Sequence, residues 1–263
     1  MTTAWTPDVV TTDLGRAVRY TLLWGLDGMA LRTVGGAGDR VPFVNESAVR
    51  ARLADADLPV VAVAPGVFEG DAESRASWLN DVTVLEEAAR FARRMGCSVV
   101  RVGALAAGER PGSADALRAA GEVVQGAGLR LAVRNEAGTS VGTGTALAAL
   151  LGDASHASVG ADWRPADALA SGEEPAAGLR ALVQRDVPIV TVSVRDGVLD
   201  GEAWIEKMLG GGAVGWEAHV DALADAGVEG PLVLDALAGP AGSHGLETAT
   251  WLVRLARRAR RRA

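Results

Sequence analysis

The feature that most constrains this chain is an eightfold alternation of two sequence patterns. Short runs rich in β-branched and other apolar residues are typical of buried strands, and longer stretches with a 3.6-residue apolar period are typical of helices. The predicted strands are Asp8–Thr12, Gly28–Thr33, Pro59–Ala64, Ser98–Gly103, Arg130–Glu136, Ser158–Arg164, Pro188–Asp196 and Pro231–Leu237. Because helical stretches separate them, the strands are expected to run parallel in one sheet.

The helical stretches complete the pattern. They are predicted at Leu14–Trp24, Ser47–Asp55, Ala72–Met95, Ala114–Ala127, Thr145–Leu151, Ala176–Gln184, Trp216–Ala226 and Leu246–Arg262. Ser47 is the expected N-cap of the second helix, and Gly128 and Gly227 stand where helices end. Eight βα units in about 260 residues predict an α/β fold, a single (β/α)8 TIM barrel that forms one domain over residues 1–263. A doubly wound sheet is less well matched, because "DLGRAV" is not the Gly-rich turn that would follow its first strand.

Composition excludes several kinds of partner. The formal net charge of −7 disfavours a nucleic-acid surface, so the basic end "RLARRARRRA" is interpreted as the solvated face of the last helix. No apolar run approaches the roughly 20 residues of a membrane span, and the N-terminus lacks a signal-peptide pattern. Cys97, the only cysteine, excludes an internal disulfide and is interpreted as a core residue. We therefore expect a cytoplasmic protein that binds neither nucleic acid nor membrane, and a homo-oligomer stays open.

Chemistry in such a barrel lies at the C-terminal ends of the strands. The polar residues predicted there are Arg32, Arg101, Arg134, Glu136, Asp162, Arg164, Ser193, Arg195, Asp196 and Asp235. In the segment "LAVRNEAG" (131–138), an apolar strand runs directly into Arg134, Asn135 and Glu136. Because strand side chains alternate between faces, Arg134 and Glu136 are expected to share one.

Several segments, taken in order, resemble the xylose isomerase-like TIM barrels, a superfamily of sugar and sugar-phosphate isomerases and epimerases. They are "GLDGMALR" (25–32), "LPVVAVAPGVFEGD" (58–71), "ARRMGCSVVRVG" (92–103), "LAVRNEAGTSVGTGTAL" (131–147), "DWRPADALASGE" (162–173), "IVTVSVRD" (189–196) and "LGGGAVGWEAHVDALADAGVEGPLVLD" (209–235). The resemblance runs from the second strand to the C-terminus. It implies the barrel fold and, as an expectation, isomerase or epimerase chemistry.

The resemblance also implies a divalent metal, held by Glu, Asp, His and Glu at the ends of strands five to eight. Here those positions fall on Arg134, Arg164, Ser193 and Asp235, or on Asp162 in strand six if the match is shifted by two residues. A guanidinium has no lone pair to offer and keeps its charge in proteins. We therefore expect the metal, and any other cofactor, to be absent.

Three functions remain open. In the first, Arg32, Arg101, Arg134, Arg164 and Arg195 bind a small anionic metabolite or sugar phosphate, helped by backbone N–H groups of the loop "LGGGAVGW", and the protein is catalytically silent. In the second, an active sugar or sugar-phosphate isomerase uses a rearranged site in which Glu136 and Asp235, with Asp162 and Asp196, act as acid, base or substitute ligands. In the third, the barrel is structural and oligomeric, with its mouth closed by salt bridges.

Histidine and tryptophan add weaker expectations. His156, His219 and His244 lie away from the predicted strand ends, so surface or capping roles are expected for them. Trp163 and Trp204 are the tryptophans expected nearest the barrel mouth.

Overall fold

The computed structural model describes residues 1–35, 39–69, 75–104, 112–239 and 241–262. Its strands are β1 Thr3–Trp5, β2 Gly28–Leu31, β3 Val60–Val63, β4 Val99–Val102, β5 Arg130–Arg134, β6 Val159–Trp163, β7 Ile189–Val194, β8 Asp196–Asp200, β9 Ala203–Lys207 and β10 Leu232–Leu234. Eight of them close a parallel barrel in the order β1-β2-β3-β4-β5-β6-β7-β10, while β8 and β9 form a separate antiparallel hairpin. The predicted (β/α)8 barrel is confirmed.

Helices separate consecutive strands of the barrel along the chain. Their bounds are α1 Leu14–Trp24, α2 Glu46–Ala54, α3 Arg75–Arg94, α4 Ser113–Gly126, α5 Gly144–Ala154, α6 Pro165–Ala170, α7 Pro175–Gln184, α8 Trp216–Asp225 and α9 Ala241–Arg260. Local sequence sets their ends: Asp13 accepts the Arg16 N–H at the start of α1, and Gly25 ends α1 in the left-handed conformation. Within the described ranges no helix is long and apolar enough to cross a membrane.

Strand alternation divides the barrel into an outer and an inner layer. Large side chains such as Trp5, Phe91 and Leu131 belong to the core that includes the helices. A second, separate cluster lies inside the barrel and consists mainly of small residues: Ala4, Ala30, Ala62, Val99, Ala132, Val190 and Val233. Because alanine fills little volume, the long side chains of the next inward-facing positions have room above it.

The strand register places the next inward-facing residues of neighbouring strands at the same height in the barrel. Arg134 of β5 pairs with Asp162 of β6, and Asp162 pairs with Thr191 of β7. Val233 of β10 pairs with Ser193, so Asp235 follows two residues further toward the mouth. A polar layer therefore lies directly above the small apolar one.

The first predicted strand, Asp8–Thr12, is wrong. The strand that enters the barrel is Thr3–Trp5, and residues Pro7–Val9 form a 3-10 turn. Pro7 has no N–H for the ladder and fixes its φ, so the sheet ends before it despite the β-branched residues that follow.

Some smaller features differ from the sequence expectation, and one segment of a predicted helix is not described. The N-cap of α2 is Asn45, whose side chain accepts the Ala48 N–H at 3.1 Å, and not Ser47. The first residues of the predicted helix Ala72–Met95, numbers 72–74, lie outside the described residues. Helix α6 and the β8–β9 hairpin were not expected, because each is too short to show a helical or strand period.

Candidate functional site

Arg101 lies at the centre of the polar layer, with its side chain only 3% exposed. Its Nε donates to Asp162 Oδ2 at 2.9 Å and its Nη1 donates to Asp235 Oδ1 at 3.1 Å. Its Nη2 contacts both Asp235 Oδ2 and Ser193 Oγ. Burial alone would lower the pKa of Arg101, but the two carboxylates outweigh it and raise that pKa. One guanidinium thus bridges two buried carboxylates.

Hydroxyl groups complete the coordination of these carboxylates. Thr191 Oγ1 donates to Asp162 Oδ1 at 2.7 Å, and Thr6 Oγ1 donates to Asp235 Oδ1. Ser193 Oγ lies 2.9 Å from Asp162 Oδ1 and 2.8 Å from Asp235 Oδ2. Although burial alone would raise the pKa of Asp235, Arg101 and the other donors hold it well below its usual range. Asp235 is therefore a stable anion that attracts a proton only weakly.

Arg164 extends the network from the end of β6. Its Nη1 donates to Asp167 Oδ2 at 3.0 Å, and its Nη2 donates to Asp235 Oδ2 at 3.3 Å. The Asn135 amide fixes its backbone, since Oδ1 accepts the Arg164 N–H at 2.8 Å and Nδ2 donates to the Arg164 carbonyl at 2.9 Å. Asn135, which follows directly after β5, thus links the ends of β5 and β6.

Arg195 connects the layer to the β8–β9 hairpin. Its Nη1 lies 3.2 Å from Asp167 Oδ1, and its Nη2 lies 2.6 Å from Glu206 Oε1. Its guanidinium also lies over the Trp204 ring, 5.4 Å from the centroid. Burial raises the pKa of Glu206. The hairpin is therefore held at the mouth by one cation.

Arg32 lies at the edge of the network and is already paired. Its Nε and Nη2 donate to the two carboxylate oxygens of Asp8, each at 2.8 Å. Asp8 comes from the 3-10 turn that replaces the predicted first strand. The bidentate pair satisfies the guanidinium fork of Arg32 within the protein.

Arg134 is paired more loosely than the other four arginines. Its Nη2 lies 3.3 Å from Glu69 Oε1 and 3.7 Å from Glu136 Oε2, and both glutamates are partly exposed. Its Nε is buried and has no hydrogen-bond partner among the described residues. Burial lowers the pKa of Arg134, and the positive charge of Arg164 lowers it further. This cation is therefore buried without full compensation.

The glycine-rich loop after β9 already holds a carboxylate. The N–H groups of Gly210, Gly212 and Val214 donate to the Asp196 side chain at 2.9, 3.1 and 3.3 Å. The N–H of Gly197 adds a fourth bond at 3.0 Å. The seat that the sequence suggested for phosphate is thus filled by the chain itself.

Two expectations for aromatic residues are wrong: a surface or capping role for His219, and a position at the mouth for Trp163. His219 is buried, and its Nε2 accepts the indole N–H of Trp163 at 2.9 Å. Trp163 is likewise fully buried, because at this position of β6 its side chain faces the helices. Trp204 does lie at the mouth, against Arg195. His156 has a capping contact, accepting the Ser158 N–H at 3.2 Å, and Cys97 is buried as expected.

The structure brings together most of the site residues predicted from sequence, but it adds partners that the sequence did not reveal. Asp167 pairs with two arginines, and Glu69 links Arg40 to Arg134. Asp167 and Glu69 both lie in segments that resemble the family. Their place in those segments was the only sequence feature that could have marked them as site residues. Glu136 lies at the rim with its side chain 45% exposed.

The chain belongs to the xylose isomerase-like TIM barrel family, whose model matches residues 18–255. The resemblance noted in the sequence is thereby confirmed. A sequence comparison with curated proteins found no match.

Solved structures of the same superfamily share the fold at low identity. A xylose isomerase domain protein from Alicyclobacillus acidocaldarius is 17% identical over 99% of each chain, with a TM-score of 0.78. An L-ribulose 3-epimerase is 19% identical over 99% of this chain and 96% of its own, also with a TM-score of 0.78. A xylose isomerase-like TIM barrel protein from Mycobacterium smegmatis, in complex with magnesium, is 14% identical over 94% and 88%, with a TM-score of 0.73.

Proposed function

We propose that this protein binds a small anionic metabolite at the barrel mouth, through Arg134, without a divalent metal and without isomerase chemistry. The observation that carries the proposal is the under-compensated charge of Arg134: its ion pairs, at 3.3 and 3.7 Å, are to two partly exposed glutamates, and its buried Nε, like those of Arg164 and Arg195, lacks a partner among the described residues. A buried donor left unpaired costs about 1–3 kcal/mol, and an anion with several acceptors would recover that cost. The guanidinium fork matches a carboxylate or a phosphate in shape.

The donor set supports the metal-free part of the proposal. A divalent ion needs oxygen or nitrogen lone pairs that converge on one point. Asp162 and Asp235 do converge, but the guanidinium of Arg101 bridges them and Arg164 approaches Asp235 from another direction. The cationic position between the two carboxylates is thus taken by a side chain, and these residues do not fit a divalent ion.

The absence of isomerase chemistry follows from the candidate acid–base pair. Moving a proton between neighbouring carbons needs two groups near the substrate with pKa values close to the working pH. Asp235 is held as an anion by Arg101 and Arg164, which makes it a weak base. Glu136 lies at the exposed rim beside Arg134. Neither residue is in the state or place that such a transfer needs.

Anion titration by isothermal calorimetry tests the proposal. We expect at least one of inorganic phosphate, citrate and D-gluconate to bind the wild-type protein. We expect Arg134→Gln to weaken that binding by about tenfold or more, because charge-assisted hydrogen bonds contribute about 1.5–3 kcal/mol. Arg94→Gln is the matched control, since Arg94 pairs with Glu46 on the outer helices. Equal anion binding in wild type and Arg134→Gln would refute the role of Arg134.

The salt-bridge-closed barrel is the second candidate function. It is favoured by Arg32, Arg101, Arg164 and Arg195, each of which has contacts from two or more nitrogens to carboxylates. The same titration separates the candidates, because a closed structural barrel would bind none of the three anions.

A further inference from the structure

We infer that Glu69 is a built-in occupant of the anion site, and that the ligand which displaces it is a carboxylate monoanion. This inference rests on the proposed function and names the chemical class of its ligand. Its starting point is the position of the Glu69 carboxylate between two guanidinium groups. Oε1 accepts from Arg40 Nη2 at 3.1 Å and from Arg134 Nη2 at 3.3 Å, while Oε2 accepts from Arg40 Nη2 at 3.0 Å.

The space between the Arg40 and Arg134 guanidinium groups is called the seat here, and Glu69 fills it incompletely. Each guanidinium contacts it through one terminal nitrogen only, and the buried Nε groups of Arg40 and Arg134 have no partner among the described residues. A side-on carboxylate would engage Nε and one Nη of the same fork. A free ligand can adopt that geometry, whereas Glu69 is limited by its attachment to the backbone.

The backbone near Glu69 is shaped to admit Arg40. Gly66 has a φ of +78°, and a Cβ at this position would overlap the guanidinium carbon of Arg40. Only glycine combines that backbone conformation with so close an approach. The loop after β3 therefore supplies both the internal carboxylate and the space for one of the cations that hold it.

Charge balance selects a monoanion. Arg40, Glu69, Arg134 and Glu136 form a group of two cations and two anions linked by ion pairs. When Glu69 rotates toward solvent, where its side chain is already 31% exposed, the remaining three carry a net charge of +1. One carboxylate restores neutrality, whereas a phosphate with a charge of about −1.5 to −2 overshoots it.

The adjacent network also disfavours a dianion. It contains three guanidinium groups and four carboxylates, so it is already negative by one charge: Arg101, Arg164 and Arg195 against Asp162, Asp167, Asp235 and Glu206. A second negative charge on the ligand would face this excess. The site is thus matched to a carboxylate that replaces the one it already holds.

Calorimetric titration of D-gluconate and inorganic phosphate into Glu69→Gln and Glu69→Ala tests the inference. D-gluconate is chosen because it couples one carboxylate to the hydroxyl groups of a sugar. If Glu69 fills the seat about nine-tenths of the time, its removal strengthens gluconate binding about tenfold. Vacating the seat helps any anion that uses it, so we expect phosphate to gain a similar factor but to bind more weakly than gluconate in wild type and in both variants. Gly66→Ala should weaken gluconate binding, because the added methyl group displaces Arg40, one of the two cations that would hold the ligand's carboxylate.

Two glutamate variants control for charge alone. Glu136→Gln removes the same charge beside the same arginine without vacating the seat, so we expect gluconate affinity to change less than threefold. Glu46→Gln, on an outer helix, controls for net charge. Circular dichroism and thermal unfolding confirm that each variant is folded.

The outcomes separate the inference from the proposed function. Stronger gluconate binding in the Glu69 variants only, with gluconate bound more tightly than phosphate throughout, supports both. Equal strengthening in Glu69→Gln and Glu136→Gln, or tighter binding of phosphate than of gluconate, would overturn the inference, while anion binding through Arg134 would stand. Failure of every anion to bind wild type, Glu69→Gln and Glu69→Ala would overturn both.

Discussion

At the scale of single residues, the guanidinium of Arg101 determines the character of the barrel interior. Asp162 and Asp235 are buried in one layer, where two unscreened carboxylates would repel each other strongly. Arginine suits this position because its planar fork presents several donors at once and it stays charged when buried. The sequence placed Arg101 at a strand end but did not show that it would take the bridging position.

Replacing Arg101 should therefore be costly. We expect Arg101→Met to lower the free energy of unfolding at pH 7 by about 3–5 kcal/mol, because it leaves two buried carboxylates without their shared cation. Urea denaturation measures the loss, with Arg94→Met as the control for a solvent-exposed pair. A loss below about 1 kcal/mol would mean that water or another cation already compensates these carboxylates.

The limits of sequence-based prediction are clearest among these residues. Arg32 and Arg134 were found because they lie at predicted strand ends. Their partners Asp8 and Glu69 were not, because these carboxylates lie 24 and 65 positions away along the chain. Strand alternation indicates which face a side chain lies on, but not which of several carboxylates it meets there.

At the scale of secondary-structure elements, β6 and its surroundings show how one strand serves two layers. Asp162 faces the barrel interior, and its neighbour Trp163 faces outward and donates its indole N–H to His219 of α8. Burial keeps His219 neutral inside the helical layer, since it lowers the pKa of the imidazole to about 4. The His219 imidazole thus links strand β6 to helix α8 as a hydrogen-bond acceptor.

This arrangement predicts a pH dependence of stability. Between the unfolded pKa of about 6.5 and the folded pKa of about 4, the unfolded chain binds a proton at His219 that the folded chain does not. Stability therefore falls as the pH decreases through this window, by about 2 kcal/mol at pH 5. We expect His219→Gln, which keeps an acceptor for Trp163, to lack this component. Urea unfolding at pH 7.5 and pH 5 measures the unfolding free energy of each protein. An equal loss between the two pH values in wild type and His219→Gln would contradict the prediction.

At the scale of the whole molecule, the barrel followed from the sequence because seven of its eight strands lie within apolar runs that helices separate. The exception is β1, which ends before Pro7 and was predicted too late in the chain because β-branched residues follow that proline. The β8–β9 hairpin was missed because the residues of β9 alternate only between exposed and half-buried, without the buried apolar positions that mark a strand.

The central claim is that the barrel mouth holds an anion at Arg134 and a side-chain cation between Asp162 and Asp235. A crystal structure of the protein grown with MnCl2 and D-gluconate, with anomalous data to locate manganese, tests both parts at once. We expect the gluconate carboxylate against Nε of Arg134, and the Arg101 guanidinium between the two aspartates with no manganese there. A manganese ion bound by Asp162 and Asp235, with Arg101 displaced, would contradict the account.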